Sequence, residues 1–208
     1  VTALTSTQVG GLTTTQLASL STTSLNALDT TDIAALTATQ VGGLSSTQLA
    51  GLTATSLGAL ESTDIAALTV TQAKGFTSTQ LGLLDTTQFA ALTGTQLSGL
   101  SATQVAGLTT TQVTALTTTQ VAGLTSTALG GLTTTQATAL TSTDLAVLTT
   151  TQVKGLTTSQ LNVLDTTQLG SLTSTLVGAL STTQVSGLST TQVTALTSTQ
   201  VGGLTTTQ

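Results

Sequence analysis

A leucine returns every eight residues from Leu4 to Leu204, and Phe76 is the only substitution in this series. The chain of 208 residues is therefore a run of 26 octapeptides, each close to Leu-Thr-x-Thr-Gln-Val-x-Gly/Ala. A short unit repeated at a fixed period is typical of solenoids, in which each unit contacts only its neighbours. No linker interrupts the pattern, so we expect residues 1–208 to form a single continuous solenoid, a segment of a longer array.

Each octapeptide carries a start signal for a helix. Counting from the leucine, position 2 is Thr, Ser or Asp in every copy except Glu61, and position 5 is most often Gln. Short side-chain oxygens are favoured as helix N-caps, and Thr-x-x-Gln is the capping-box pattern. The predicted N-caps include Thr5, Thr13, Asp29 and Thr109.

The other half of the octapeptide supplies a core and a stop signal. The leucine before the cap and the aliphatic residue at position 6 are spaced as a hydrophobic staple. Positions 7 and 8 are rich in Gly and Ala, and glycine is common where a helix ends. The predicted core positions include Leu12, Leu44, Leu108, Leu116, Val41, Val105 and Val113. These signals predict an all-α solenoid of about 26 very short helices, one per octapeptide.

The period of eight argues against two other architectures. In one continuous helix, eight residues overshoot two full turns by about 80°, so the leucines would not stay on one side. In a strand, Leu and Gln would share one face while Thr and Val shared the other, and neither face would be apolar. A β-solenoid remains the alternative, because Thr-x-Thr resembles the ice-contacting motif of some antifreeze β-solenoids.

Composition narrows the possible functions. The chain has no Cys, His, Trp, Tyr, Met or Pro, and Lys74 and Lys154 are its only cations. Most catalytic bases, nucleophiles and metal ligands are therefore missing, so we expect neither an enzyme nor a cofactor. Two lysines against seven acids argue against nucleic-acid binding, which depends on neutralising phosphates. No apolar run approaches the roughly 20 residues of a membrane span.

Four acidic residues form two pairs with matching spacing. Asp29 and Asp32 lie three residues apart, as do Glu61 and Asp64, and the second pair follows the first by four octapeptides. One hypothesis is a pair of carboxylate-rich Ca²⁺ sites, since calcium prefers clustered oxygen ligands. The simpler interpretation is helix capping, because the same positions lie where the helix dipole favours negative charge.

Position 4 is Thr in every octapeptide except at Ser159. Thr is a mediocre helix former, so this uniformity needs a reason that capping does not supply. We expect the hydroxyl to form a hydrogen bond to the next coil. There are two alternatives. The hydroxyls could be glycosylated, or they could form a regular array that binds ice or a polysaccharide.

The run from Leu108 to Leu124 resembles the Thr/Gln/Leu-rich octapeptide arrays of very large secreted bacterial surface proteins and adhesins. This resemblance extends over the whole chain and implies an extracellular or cell-surface protein. It implies a stalk or filament built from stacked repeats, and it transfers no catalytic residues. We therefore expect a structural protein that self-associates into filaments; the alternative is an ice- or glycan-binding module.

Overall fold

The structure, a computed structural model, describes residues 4–208. Within this range the chain forms 25 helices and no strand, which confirms the all-α prediction and excludes the β-solenoid. Every helix begins at position 3 of its octapeptide and contains four to six residues. The partial octapeptide at Leu204 forms a turn instead of a helix.

The chain divides into two compact units, the first ending at Gly99 and the second beginning at Leu100, and the octapeptide pattern continues through the division. The first unit contains α1 (Ser6–Gly10), α2 (Thr14–Ala18), α3 (Thr22–Asn26), α4 (Thr30–Ala34), α5 (Ala38–Val41), α6 (Ser46–Ala50), α7 (Ala54–Gly58), α8 (Ser62–Ala67), α9 (Val70–Ala73), α10 (Ser78–Leu83), α11 (Thr86–Ala90) and α12 (Gly94–Leu97). The second contains α13 (Ala102–Ala106), α14 (Thr110–Thr114), α15 (Thr118–Gly123), α16 (Ser126–Gly130), α17 (Thr134–Ala139), α18 (Ser142–Ala146), α19 (Thr150–Gly155), α20 (Thr158–Val163), α21 (Thr166–Gly170), α22 (Ser174–Ala179), α23 (Thr182–Ser186), α24 (Thr190–Ala195) and α25 (Ser198–Val201).

Two extended residues turn the chain between consecutive helices. After α15, Leu124 has φ −68° and ψ 138°, and the N-cap Thr125 has φ −74° and ψ 160°. This conformation breaks the helical hydrogen-bond pattern while leaving the leucine side chain free to enter the core. The corner is thus made by positions 1 and 2 of each octapeptide.

The helices end without the left-handed glycine that a helix stop often uses. No residue in the described part of the chain has a positive φ, and the glycines at position 8 are in the right-handed region where they cap a helix, as at Gly51 and Gly131. The helices end within positions 6 to 8, as the sequence predicts, but glycine does not act there through a left-handed conformation in the described residues. At Gly131 it allows close packing instead, whereas other octapeptides have larger side chains at position 8, such as Leu83.

Within each unit, the helices pack against the helix three octapeptides later, as α5 does against α8 and α16 against α19. One turn of the solenoid therefore takes three octapeptides. The number of repeats per turn could not be derived from the sequence.

The core consists of the leucines at position 1 and the aliphatic residues at position 6. Leu44, Leu108 and Leu116 are buried, and Val41, Val105 and Val113 are completely buried. Leu12, near the start of the described chain, is only partly buried. Both phenylalanines, Phe76 and Phe89, are also buried in the core.

Candidate functional site

The helix N-termini are capped by the residues at position 2. Thr5, Thr13 and Thr109 accept hydrogen bonds from the backbone N–H three residues later, at 3.4, 3.2 and 3.1 Å. Asp29 does the same for Asp32 with its Oδ1 atom, at 2.8 Å. These side chains satisfy backbone donors that a short helix cannot satisfy internally.

The glutamine at position 5 makes a further connection that the capping-box pattern does not predict. Oε1 of Gln40 accepts the backbone N–H of Thr37 at 2.8 Å, which completes the capping box. Its Nε2 donates to the backbone carbonyls of Val9, Gly10 and Leu12 at 3.1, 3.1 and 2.7 Å. One buried amide therefore caps the start of its own helix and the end of a helix 28 to 31 residues earlier.

The same connection recurs through both units. It is made in the first unit by Gln48, Gln72, Gln80, Gln88 and Gln96, and in the second by Gln136, Gln152, Gln160, Gln168, Gln184, Gln200 and Gln208. A capping box accepts Glu as readily as Gln, yet position 5 is never Glu in this chain. That exclusion was the signal in the sequence, because only an amide can donate to a carbonyl as well as accept from an N–H.

The threonines at position 4 lie on the surface. Every position-4 side chain within residues 4–208 is exposed, and none donates a hydrogen bond to another coil. The expected role for this hydroxyl is therefore wrong, and the glutamine amide joins the coils instead. Position 4 is the second residue of its helix. With the N-cap hydroxyls of position 2, these threonines form a regular polar surface.

Neither of the two acidic pairs considered for calcium has a third acidic side chain beside it in the described residues. The described residues contain no group of three or more acidic side chains close enough to hold a metal ion. Because a turn takes three octapeptides, a separation of four octapeptides places the two pairs on different faces of the solenoid. Asp32 accepts a hydrogen bond from Ser6 Oγ at 3.0 Å, and Asp64 accepts the N–H of Glu61 at 2.9 Å.

Asp64 occupies the place of a connecting glutamine. Its side chain is 1% exposed, and Oδ2 accepts the N-cap N–H as a glutamine Oε1 does. Burial raises the pKa of this carboxyl, the hydrogen bond from the Glu61 backbone opposes that rise, and the nearby Glu61 charge adds to it. Unlike a glutamine, an ionised Asp64 has no proton to donate to the coil beneath it.

None of the helices in the described range is long and apolar enough to cross a membrane. Among curated proteins, no match to the chain was found. The family model of the ALTTAQ repeat matches residues 25–60, 57–94, 139–174 and 177–206, which together make up more than half of the chain. The matched segments include the capped helices and connecting glutamines at Gln40, Gln80 and Gln152, and the same octapeptide pattern continues through residues 95–138 between them. The chain therefore belongs to the ALTTAQ repeat family.

Proposed function

We propose that this chain is a structural, non-enzymatic segment of an extracellular filament, fibre or adhesin stalk. The observation that carries the proposal is the repeated glutamine connection, in which each coil offers the next one the same donors and acceptors. Coils joined in this way can be added without a change of geometry, and a long load-bearing rod needs that property.

The surface supports self-association of such rods. Only nine side chains in the chain are charged, so little electrostatic repulsion separates neighbouring copies. The large apolar side chains of Leu83, Val147 and Val163 are exposed at position 8, with 52% of the Leu83 side chain accessible. We propose that these residues contribute to lateral contacts between rods.

Electron microscopy of the native material tests this function. We expect filaments or rods of uniform width that persist in 1 M NaCl, where charge interactions are screened within about 3 Å. Antibodies against the repeats should label intact cells of the source organism. Native material that contains only compact monomers, or label that requires permeabilised cells, would contradict the proposal.

The alternative function is binding of ice or a polysaccharide, and the exposed threonines favour it. Thr103, Thr127 and Thr151 occupy position 4 on successive coils of the same face in the second unit. If this face binds a flat ligand, replacing the three residues by Glu should abolish ice-growth inhibition or retention on the polysaccharide. Replacement by Ser, which keeps the hydroxyl, should retain most of the activity. No retention by the unmodified chain would remove this alternative.

A further inference from the structure

The chain contains only two lysines, Lys74 and Lys154, and both occupy position 7 of an octapeptide. Lys74 packs against the next coil, because a Cβ atom on Gly99 would lie 3.1 Å from both its Cγ and its Cε atom. Lys154 is exposed, and its ammonium forms no ion pair or hydrogen bond within residues 4–208. The charge of Lys154 is therefore available to a ligand.

Lys154 lies in an open groove of about 500 Å³ that crosses three successive coils of the second unit. The groove is also lined by Gly178 and Gly203, and a Cβ atom on Gly178 would collide with the carbonyl oxygen of Gly203. In the coils on either side of Lys154, position 7 is occupied by Gly130 and Gly178. No position-7 side chain therefore covers the lysine, and the groove stays open beside it.

Three hydroxyls line the same groove, those of Thr150, Ser174 and Thr175. None of them has a hydrogen-bond partner within the described chain, so each can still donate one hydrogen bond and accept others. No acidic residue occurs in the five octapeptides of this face, which begin at Leu100, Leu124, Leu148, Leu172 and Leu196. The groove thus combines a positive charge with free hydroxyls, and no negative charge lies on its own face.

We propose that this groove binds an acidic polysaccharide, with Lys154 contacting a carboxylate or sulfate and the three hydroxyls contacting the sugar. The lysine ammonium carries three donors, and charge-assisted hydrogen bonds are stronger than neutral ones. Sugar hydroxyls both donate and accept hydrogen bonds, as the side chains of Thr150 and Ser174 do. An open groove across several coils also admits a polymer along its length, which an enclosed pocket would not.

A second copy of the chain is a less suitable occupant. Its exposed aspartates, Asp29, Asp85 and Asp165, each accept a backbone N–H as helix N-caps, at 2.8, 2.8 and 2.7 Å. Their carboxylates are therefore held against their own helices, whereas the acidic groups of a polysaccharide project from the polymer.

The groove lies on the face that carries Thr103, Thr127 and Thr151, so the proposal rests on the alternative function given above and narrows its ligand to a charged one. It does not require the chain to form filaments. Ice or a neutral polysaccharide would bind the threonines without any contribution from Lys154, so the two proposals can fail independently.

Selective ¹³C labelling of lysine Cε tests the site, because the full chain then gives one signal from the groove and one from Lys74. At low and constant ionic strength, tetragalacturonate should shift the Lys154 signal saturably. We expect a dissociation constant on the order of 1 mM, since one exposed charge pair contributes little. The Lys74 signal should stay unchanged. The methyl ester of the same oligomer, which keeps the sugar rings without the charge, should shift neither signal. Dextran sulfate, titrated in parallel, shows whether sulfate replaces carboxylate.

Variants of the two lysines separate the charge from the fold. Lys154→Gln should weaken tetragalacturonate binding about tenfold, and Lys154→Arg, which keeps the charge, should retain it. The amide signals of Gly178 and Gly203, which line the groove, report binding in these variants. Lys74→Gln alters the same octapeptide position and is the matched control, so it should leave binding unchanged.

The contribution of the hydroxyls is tested with Ser174→Ala. Alanine occupies position 3 elsewhere, as at Ala102, so the fold should be kept while binding weakens about threefold. Equal shifts with the methyl ester, no saturable shift of the Lys154 signal, or undiminished binding by Lys154→Gln would overturn the proposal. Sedimentation that shows self-association lost in Lys154→Gln, with no binding of tetragalacturonate by the wild type, would assign the groove to a second copy and would overturn it as well.

Discussion

The position-5 glutamines use both ends of one amide, and this is the chemistry that joins the coils. In Gln80, Oε1 accepts the N–H of Thr77, and Nε2 donates to the carbonyls of Leu49, Ala50 and Leu52 at 2.9, 3.2 and 3.0 Å. A helix of four to six residues leaves most of its backbone groups without internal partners. A single glutamine side chain that binds one backbone N–H and several backbone carbonyls therefore contributes much of the stability of the turn between two helices.

Gln80→Leu should lower the free energy of unfolding by about 2–3 kcal/mol, because it removes a cap and leaves buried carbonyls without a donor. Gln16 is the matched control, since it completes a capping box but is exposed and makes no described bond to another coil. Gln16→Leu should cost only about 1 kcal/mol. Urea unfolding of both variants measures the difference, and equal losses would show that the bonds between coils contribute nothing.

Asp64 should make stability depend on pH in the direction opposite to that of most carboxylates. Because burial raises its pKa in the folded state, the folded chain holds this proton more tightly than the unfolded chain does. Its stabilising contribution is complete below the unfolded-state pKa and is lost as the pH rises through the folded-state pKa. Asp64→Gln removes this loss and also supplies an amide donor.

The measurement for Asp64 is the free energy of unfolding of the wild type and Asp64→Gln between about pH 3 and pH 8. The advantage of the variant should grow as the pH rises. A constant difference across the range, or one that shrinks, would mean that Asp64 is not desolvated as the structure indicates.

At the scale of the helix, stability comes from neighbours. Isolated helices shorter than about 12 residues are marginal in water, so helices of this length need the coils on either side. Glycine at position 8 lets those coils approach closely. A Cβ atom on Gly131 would lie 2.5 Å from the Cα of Ala102 and 2.6 Å from its carbonyl oxygen, both in the coil beneath.

Gly131→Ala should therefore destabilise the chain by about 1–3 kcal/mol, because backbone atoms cannot move aside as a flexible side chain can. Gly170→Ala is the control, since nothing lies within 4 Å of the added Cβ. Gly170 is the last residue of α21, where alanine should stabilise by up to about 1 kcal/mol. The Tm should therefore fall for Gly131→Ala and rise for Gly170→Ala. A lower Tm for both variants would indicate a general cost of replacing glycine.

At the scale of the molecule, the structure repeats with each turn of three octapeptides, although the sequence repeats with every octapeptide. Each octapeptide packs against the third one along, so the glutamine amides meet carbonyls 28 to 31 residues away. A change in the number of repeats therefore alters which side chains face each other unless it removes whole turns.

Deletion of residues 124–147, which removes three octapeptides, should be tolerated better than deletion of residues 124–139, which removes two. The larger deletion places Gly155 against Ala102, where Gly131 normally packs, whereas the smaller one places Val147 there. Because of this overpacking, the Tm of the chain that lacks two octapeptides should be about 2–10 °C lower than that of the chain that lacks three. If the chain that lost two octapeptides melts at the same or a higher temperature, the turn of three does not govern packing.

The amino-acid sequence alone determined the local structure of every octapeptide. The N-caps, the capping boxes, the core positions 1 and 6 and the all-α class follow from interactions that span six residues or fewer, and a repeat of eight residues displays those many times over. The donor role of Gln40, the close approach at Gly131 and the burial of Asp64 were decided only by the tertiary structure. Each depends on a partner about one turn away, and the number of octapeptides in that turn is set by how the helices pack, which no single repeat encodes.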